Sequence, residues 1–198
     1  MASGVSPMHG GSPSDFTSGA AFFDWDLDGW PDLLVGQSLS NPVLYRNSGP
    51  PDFYFEDVSE EAGLQEFPMD SCCVLTRDFS GDGITDIVLM RPGVYGGLQM
   101  LTGSENGIFR DETANRIEAA RSNYQALSAF DMDNDGDLDV VGTRWASLSP
   151  AQESECLESH FFENDGGILR LTQDNVPLTK GCGLIGAMTD INGDGWLD

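Results

Sequence analysis

Short apolar runs, each only a few residues long, alternate with polar turn segments along most of the chain. Runs of this length bounded by Gly, Pro, Asn, Asp and Ser are typical of β-strands, because an amphipathic helix needs apolar positions three and four apart over a longer span. No helix-period stretch competes with them. The pattern therefore predicts an all-β protein.

Four of these runs recur in each of the first three repeats, and we name them strands A to D in chain order. Strand A is rich in small residues and is predicted at residues 19–23, 72–76, 126–130 and 183–187. Strand B, rich in Leu and β-branched residues, is predicted at 33–35, 87–89 and 140–141. Strand C is predicted at 43–45, 98–101 and 160–162, and strand D at 54–55, 108–109 and 168–169.

Four short strands per repeat predict one four-stranded blade of a β-propeller, and small residues in strand A suit the crowded innermost position. The prediction comprises a flexible segment at 1–16, three blades at about 17–58, 71–112 and 124–172, and the first strand of a fourth at 183–198. A β-sandwich is the alternative, but it would not require the same unit three times. Because propellers close with about four to eight blades, we expect an incomplete ring in a chain that stops inside a repeat.

An acidic segment of nine residues, D-x-[DNS]-x-D-G-x-x-D, lies between strands A and B. Its four copies align without gaps, and their starts are 54, 53 and 59 residues apart. Positions 1, 3, 5 and 9 offer side-chain oxygens, position 7 offers a carbonyl, and Gly at position 6 permits a sharp turn. The predicted metal ligands are Asp24, Asp26, Asp28, Trp30, Asp32; Asp78, Ser80, Asp82, Ile84, Asp86; Asp131, Asp133, Asp135, Asp137, Asp139; and Asp190, Asn192, Asp194, Trp196, Asp198.

An oxygen-only ligand set with several carboxylates favours Ca²⁺ over Zn²⁺. An EF-hand would need Glu at position 12, where this chain has Val35, Leu89 or Gly142, and a helix in place of the β-rich run. Solvated Asp-Gly turns are the alternative, but four copies in register favour a metal site. We expect the third segment to bind most tightly and the second, with neutral Ser80, more weakly; the fourth could stay empty.

The charge balance restricts the partners. Asp and Glu number 33 against 9 Lys and Arg, giving a formal charge of −24. Nucleic acids and anionic lipids are bound through basic residues, so neither is an expected partner. No apolar run is long enough to cross a membrane and no signal peptide is visible, so membrane insertion is not expected within this segment.

The four cysteines, Cys72, Cys73, Cys156 and Cys182, lack the CxxC spacing of a zinc ribbon. Their even number fits disulfides outside the cell and equally fits buried thiols. In an up-and-down blade the A–B loops lie at one end, and the B–C loops and D–A connections lie at the other. Cys156 and Cys182 fall at this second end, which predicts a disulfide between them.

The acidic loops and their period resemble the FG-GAP or VCBS repeats of integrin α-subunit propellers, over about residues 17–198. In the first repeat, the stretches 44–47 (LYRN), 55–58 (FEDV) and 62–64 (AGL) resemble the cartilage acidic protein family and its bacterial relatives. The later repeats depart from this at 101–102 and 162–164. The resemblance implies a seven-bladed propeller at the cell surface or outside the cell (the periplasm in a bacterium), with Ca²⁺ in the A–B loops.

Function follows as an expectation from the same resemblance, which implies adhesion or matrix contact with a protein or carbohydrate ligand. The sequence shows no GxSxG motif, phosphate loop or nucleophile–base pair, and neither His9 nor His160 has a neighbouring partner in sequence. We therefore predict a non-catalytic, calcium-binding module. The alternative is an accessory propeller of a larger secreted enzyme, such as a lyase, phospholipase or dehydratase, because similar repeats occur joined to such enzymes.

Overall fold

The computed structural model describes residues 19–37, 40–66, 73–91, 96–118, 124–144 and 159–172, together with Asn192. Almost all regular structure in these ranges is β, which confirms the predicted fold class. The strands are β1 Ala20–Phe23, β2 Asp32–Val35, β3 Val43–Asn47, β4 Phe55–Asp57, β5 Cys73–Arg77, β6 Asp86–Arg91, β7 Gly97–Thr102, β8 Arg110–Asp111, β9 Ile117–Glu118, β10 Tyr124–Phe130, β11 Asp139–Arg144, β12 His160–Asn164 and β13 Leu169–Thr172. One short helix, α1 Thr113–Arg116, and a 3-10 turn, Leu64–Glu66, complete the described elements.

The first two sheets are simple up-and-down units. Their orders are β1-β2-β3-β4 and β5-β6-β7-β8, and every neighbouring pair is antiparallel. Short turns permit this topology because antiparallel neighbours need no crossover. The four-strand unit predicted from the sequence is thus present in both.

The third sheet departs from the prediction because it has five strands, in the order β10-β11-β12-β13-β9. Strand β9, which follows the second sheet in the chain, pairs in parallel with β13, with Ile117 opposite Leu169. Arg170 of β13 reaches Glu118 of β9 at 2.7 Å. Sequence period alone could not show that a segment between two repeats lends a strand to the second of them.

The predicted positions of strand D were wrong by one to two residues at the first two sheets. Strand β4 begins at Phe55, the second residue of the apolar pair 54–55. Strand β8 begins at Arg110, directly after the apolar pair 108–109. Register decides this, since Tyr45 lies opposite Asp57 and Leu101 opposite Asp111. Phe109 is instead a buried anchor, and its N–H donates to the carbonyl of Ala62 at 3.1 Å.

Two apolar layers hold the three sheets together. The layer between the first and second sheets includes Leu34, Leu44 and Leu64, and the layer between the second and third includes Tyr124 and Phe162. The second sheet contributes to both, because alternate residues along β6 point to opposite faces. The residues of β6 divide accordingly: Ile87 and Leu89 into the first layer, Val88 and Met90 into the second.

The first strands of the three sheets are neighbours in space. Strand β5 contacts β1 on one side and β10 on the other, so the sheets stand side by side along their first strands. A cavity of about 330 Å³ lies among these strands, lined by residues of all three, including Ala21, Leu75 and Ala129. This is the radial arrangement of propeller blades, while the number of blades and the domain boundaries stay predictions.

Several predicted features lie outside the described residues. They are the segment 1–16, the fourth blade at 183–198 apart from Asn192, and the Cys156–Cys182 disulfide. Cys73 is described, and it is a free, half-buried thiol whose Sγ lies 3.5 Å from the carbonyl oxygen of Gln125. Burial raises the pKa of this thiol.

Candidate metal site

The three described acidic loops connect β1 to β2, β5 to β6 and β10 to β11, and they share one backbone path. The glycine at position 6 has positive φ in each loop, as the sequence predicted. Position 4 is also left-handed, with φ of 60° at Leu27, 77° at Gly81 and 59° at Asn134. This second left-handed residue was missed, because Leu is an unusual choice for that conformation.

Carboxylates converge in the first and third loops. Oxygens of Asp24, Asp26 and Asp28 lie within 4.8 Å of one another, and so do oxygens of Asp131, Asp133 and Asp139. The two loops thus bring together different subsets of the predicted ligands, positions 1, 3 and 5 in one and 1, 3 and 9 in the other. The second loop shows no such cluster among its described acidic residues.

Main-chain N–H groups orient the carboxylates at positions 1 and 5. The position 6 glycine donates to position 1, from Gly29 to Asp24 at 2.9 Å and from Gly83 to Asp78 at 2.8 Å. The third loop repeats this bond from Gly136 to Asp131 at 3.1 Å. Position 7 donates to position 5 at 2.8 Å in every described loop. The loops are therefore preorganised by their own backbone.

Each described loop also contains a buried oxygen without a hydrogen-bond partner. These atoms are Oδ1 of Asp24, Oγ of Ser80 and Oδ1 of Asp131. Buried polar atoms are nearly always paired, so the orphaned oxygens, at position 1 of the first and third loops and at position 3 of the second, call for a ligand. A hard cation fits this donor set, because it accepts oxygen lone pairs and offsets the crowded negative charge.

The aspartate at position 9 has a second role that sequence reasoning missed. Asp32, Asp86 and Asp139 are almost fully buried. One oxygen accepts an N–H from the start of the loop, as from Met132 to Asp139 at 2.7 Å. The other accepts an N–H at or just beyond the end of strand C, as from Asn164 to Asp139 at 2.8 Å. Position 9 thus clamps the acidic loop to the third strand of its sheet.

Burial raises the pKa of all three clamp carboxyls, Asp32, Asp86 and Asp139. The pKa of Asp139 rises to about 6, because desolvation and the nearby charges of Asp133 and Asp135 outweigh the two N–H donors. The pKa of Asp26 is also raised, by partial burial and then by the charge of Asp28. A bound cation would oppose these shifts by favouring the ionised forms.

All the predicted ligands stay predictions, and for two groups of them the structure adds little. At position 7, the side chain of Asp137 accepts an N–H from Gly166 at 3.3 Å. The predicted role of the main-chain carbonyls of Trp30, Ile84 and Asp137 as metal ligands is untested. Of the fourth loop, Asn192 alone falls within the described residues, and it is exposed.

The turn between strands C and D of one sheet packs on the acidic loop of the sheet before it. Asn164 donates to the carbonyl of Phe79 at 3.0 Å, and the indole of Trp25 donates to Gly107 at 2.8 Å. Glycines make this approach close, since a Cβ on Gly167 would lie 2.8 Å from the Ser80 carbonyl oxygen. Each of the first two loops is therefore bounded by the following sheet.

A polar cluster that the sequence did not reveal lies at the opposite end of the third sheet. Oη of Tyr124 is 2.7 Å from Nδ1 of His160, and a guanidinium nitrogen of Arg144 is 2.8 Å from Nε2. A guanidinium only donates, so Nε2 accepts and the neutral ring carries its proton on Nδ1. Burial and the charge of Arg144 lower the pKa of His160, which favours the neutral ring that these contacts require.

The sheets and acidic loops define a class of repeat, and comparisons with known proteins confirm the resemblance inferred from the sequence. Residues 78–142 match the family described as FG-GAP-like repeat. The chain is also similar to Cartilage acidic protein 1 of Xenopus tropicalis, with 29% identity over 172 residues. That alignment covers 84% of this chain and 26% of the relative, so the chain spans about a quarter of that protein. Within the described residues, no helix has the length and apolar character for a membrane crossing.

Proposed function

We propose that this chain is a calcium-binding, non-catalytic module of a propeller-type protein that makes contacts outside the cell. The observation that carries the proposal is the convergence of three carboxylates in the first and third loops, each with an orphaned buried oxygen at position 1. The FG-GAP-like match at 78–142 supports it, because this range contains the second and third loops.

The extracellular location and the adhesive role draw on the relative. Its name places it in cartilage, a tissue dominated by extracellular matrix, and describes it as acidic. The formal charge of −24 makes this chain acidic too. A protein or carbohydrate ligand is the partner class we propose.

Calcium would act here as a structural ion. It would offset the repulsion among carboxylates that the loops hold together. At a free Ca²⁺ concentration of about 100 times the dissociation constant, one occupied site adds about 2.7 kcal/mol to the unfolding free energy. Several such sites would form a large share of the stability of an ordinary domain, about 5–15 kcal/mol.

Calorimetric titration with Ca²⁺ and with Mg²⁺, paired with thermal melts in calcium and in chelator, tests the proposal. We expect Ca²⁺ to bind and to raise the melting temperature. Asp135→Asn should cost more affinity than Asp82→Asn, since the third loop carries more carboxylates. The matched control is Asp52→Asn, an exposed aspartate outside the loops. Absence of Ca²⁺ binding, or a melting temperature that chelation leaves unchanged, would overturn the proposal.

A further inference from the structure

A pocket of about 360 Å³ opens between the first and second sheets, beside the first acidic loop. Its wall is built from that loop, from the end of the second loop at Ile84 and Thr85, and from the turn 103–107 of the second sheet. Ligand pockets have volumes of about 300–1,000 Å³, so this one suits a single long side chain rather than a folded element.

The wall combines apolar and acidic groups. Rings of Phe23, Trp25 and Phe109 and the aliphatic side chains of Leu27 and Ile84 supply apolar surface. The acidic groups that line the pocket are Asp24, Asp26, Glu61 and Glu105. Arg46 is a basic lining residue that is paired with Glu56 at 2.7 Å. The hydrogen bond to Glu56, and then the charges of Glu56, Glu61 and Asp26, raise the pKa of its guanidinium.

These features favour a ligand with an apolar stem and a positively charged end. The aromatic faces would attract a cation as well as contact methylene groups. An anionic ligand would meet four carboxylates against the one guanidinium of Arg46, and a neutral apolar ligand would leave the excess negative charge uncompensated. Calcium in the first loop would offset Asp24 and Asp26, yet Glu61 and Glu105 are not among the predicted metal ligands and would keep the pocket negative.

We propose that this pocket binds an arginine side chain presented by a partner polypeptide. The guanidinium would lie toward Glu61 and Glu105, and the methylene stem would lie along the aromatic wall. This deepens the interaction role proposed above and rests on it for the choice of a polypeptide partner, but it does not require a bound metal.

The test is a titration of the isotopically labelled chain with the peptide Gly-Arg-Gly amide, followed by NMR at the indole Nε1–H of Trp25. That proton is held at the pocket wall by the Gly107 carbonyl, so it reports locally. We expect a saturable shift with a millimolar dissociation constant, weakened by added salt. The peptide with citrulline in place of arginine, which has the same shape without the charge, should bind far more weakly.

Matched variants separate the pocket from the general acidity of the chain. Glu61→Gln with Glu105→Gln should weaken arginine binding about three- to tenfold, as expected for two partly exposed charge pairs. Glu60→Gln with Glu163→Gln removes the same charge from exposed residues outside the pocket lining and should leave binding unchanged.

The titrations are run in chelator and in calcium, so that this proposal fails separately from the calcium proposal. Arginine binding in chelator by a chain that shows no calorimetric Ca²⁺ binding would leave the pocket proposal standing alone. Equal binding of the citrulline peptide, binding of Gly-Glu-Gly amide in its place, or equal weakening by the two double variants would each overturn it.

Discussion

At the scale of single residues, position 4 of the acidic loop shows how the backbone path can conflict with the side chain. Gly81 and Asn134 adopt left-handed φ at little cost, whereas Leu27 adopts φ of 60° with its side chain 77% exposed. Asn tolerates this region better than Leu does. The leucine therefore strains the first loop without contributing much burial in return.

We expect Leu27→Asn to raise the unfolding free energy by about 0.5–1 kcal/mol, since relief of left-handed strain is worth about 1–2 kcal/mol at most. The reverse change in the third loop, Asn134→Leu, should lower it by at least as much. Chemical denaturation of both variants against the parent chain measures the two effects. A loss of stability in Leu27→Asn would show that Leu27 contributes packing that outweighs the strain.

Asp139 makes stability depend on pH in the metal-free protein. Its folded pKa of about 6 lies above its ordinary value of 3.8, so the folded state holds this proton more tightly. The stabilisation of the folded state by the protonated Asp139 carboxyl is fully present below about pH 4 and is lost as pH rises through 6. The unfolding free energy should fall by about 3 kcal/mol over this range, because each unit of difference between the folded and unfolded pKa corresponds to about 1.36 kcal/mol.

Denaturation in chelator between pH 4 and 7 measures this fall in stability. The Asp139→Asn variant, which does not titrate there, should show a smaller fall, and saturating Ca²⁺ should suppress the fall in the parent chain. Identical pH profiles for the parent and Asp139→Asn in chelator would contradict the assignment.

At the scale of elements, the third sheet depends on a close approach between two neighbouring strands. In the third sheet Tyr124 of β10 lies across β11 at Gly142, where a Cβ would come within 2.4 Å of the ring. Tyr124 is fully buried and also meets His160 and Phe162 edge to face. Gly142 is thus required by packing, although the sequence showed it only as the residue at position 12 of the third acidic segment, just after the predicted strand B.

Gly142→Ala should lower the unfolding free energy by about 1–3 kcal/mol, the usual penalty for overpacking a close-packed core. A double-mutant cycle with Tyr124→Leu tests the cause, because the added methyl should cost less when the ring is absent. Both quantities come from denaturant titration of the four chains. An equal cost in both backgrounds would show that the methyl group clashes with something other than the ring.

At the scale of the whole molecule, the sheets are joined by polar contacts at the acidic end as well as by the apolar layers. The side chain of Asn164 bonds the carbonyls of Leu138 in its own sheet and Phe79 in the second acidic loop. Asn47 holds the equivalent place in the first sheet, where its amide donates to Pro31 of the same sheet. The second loop therefore depends on the third sheet for its shape.

We expect Asn164→Ala to lower the unfolding free energy by about 2–3 kcal/mol, because it leaves buried groups unpaired. It should also weaken Ca²⁺ binding at the second loop. This binding is measured as the component of the calorimetric titration that is lost in Asp82→Asn. Asn47→Ala is the control, since the described bonds of its side chain stay within the first sheet. If both variants changed that component equally, coupling between the sheets would be refuted.

Much of the architecture could be predicted from the sequence because it depends on local, repeating patterns. Alternation of short apolar runs with turn residues specified strands A to C nearly in place, and the spacing of Asp and Gly specified the acidic loops. The repetition itself indicated a common unit, since the same local pattern folds in the same way each time.

Only the tertiary structure decided what depends on neighbours distant in the chain. Strand β9 and the pocket between the first two sheets arise from contacts across repeats. The register of strand D and the clamp formed by the position 9 aspartates arise from contacts between strands of one sheet that are separated in the chain. In the sequence Asp139 is one more candidate ligand, yet its burial raises its pKa to about 6, against the opposing hydrogen bond from Asn164, 25 residues away. Burial and long-range pairing are properties of the packed sheets, so no local pattern could have shown them.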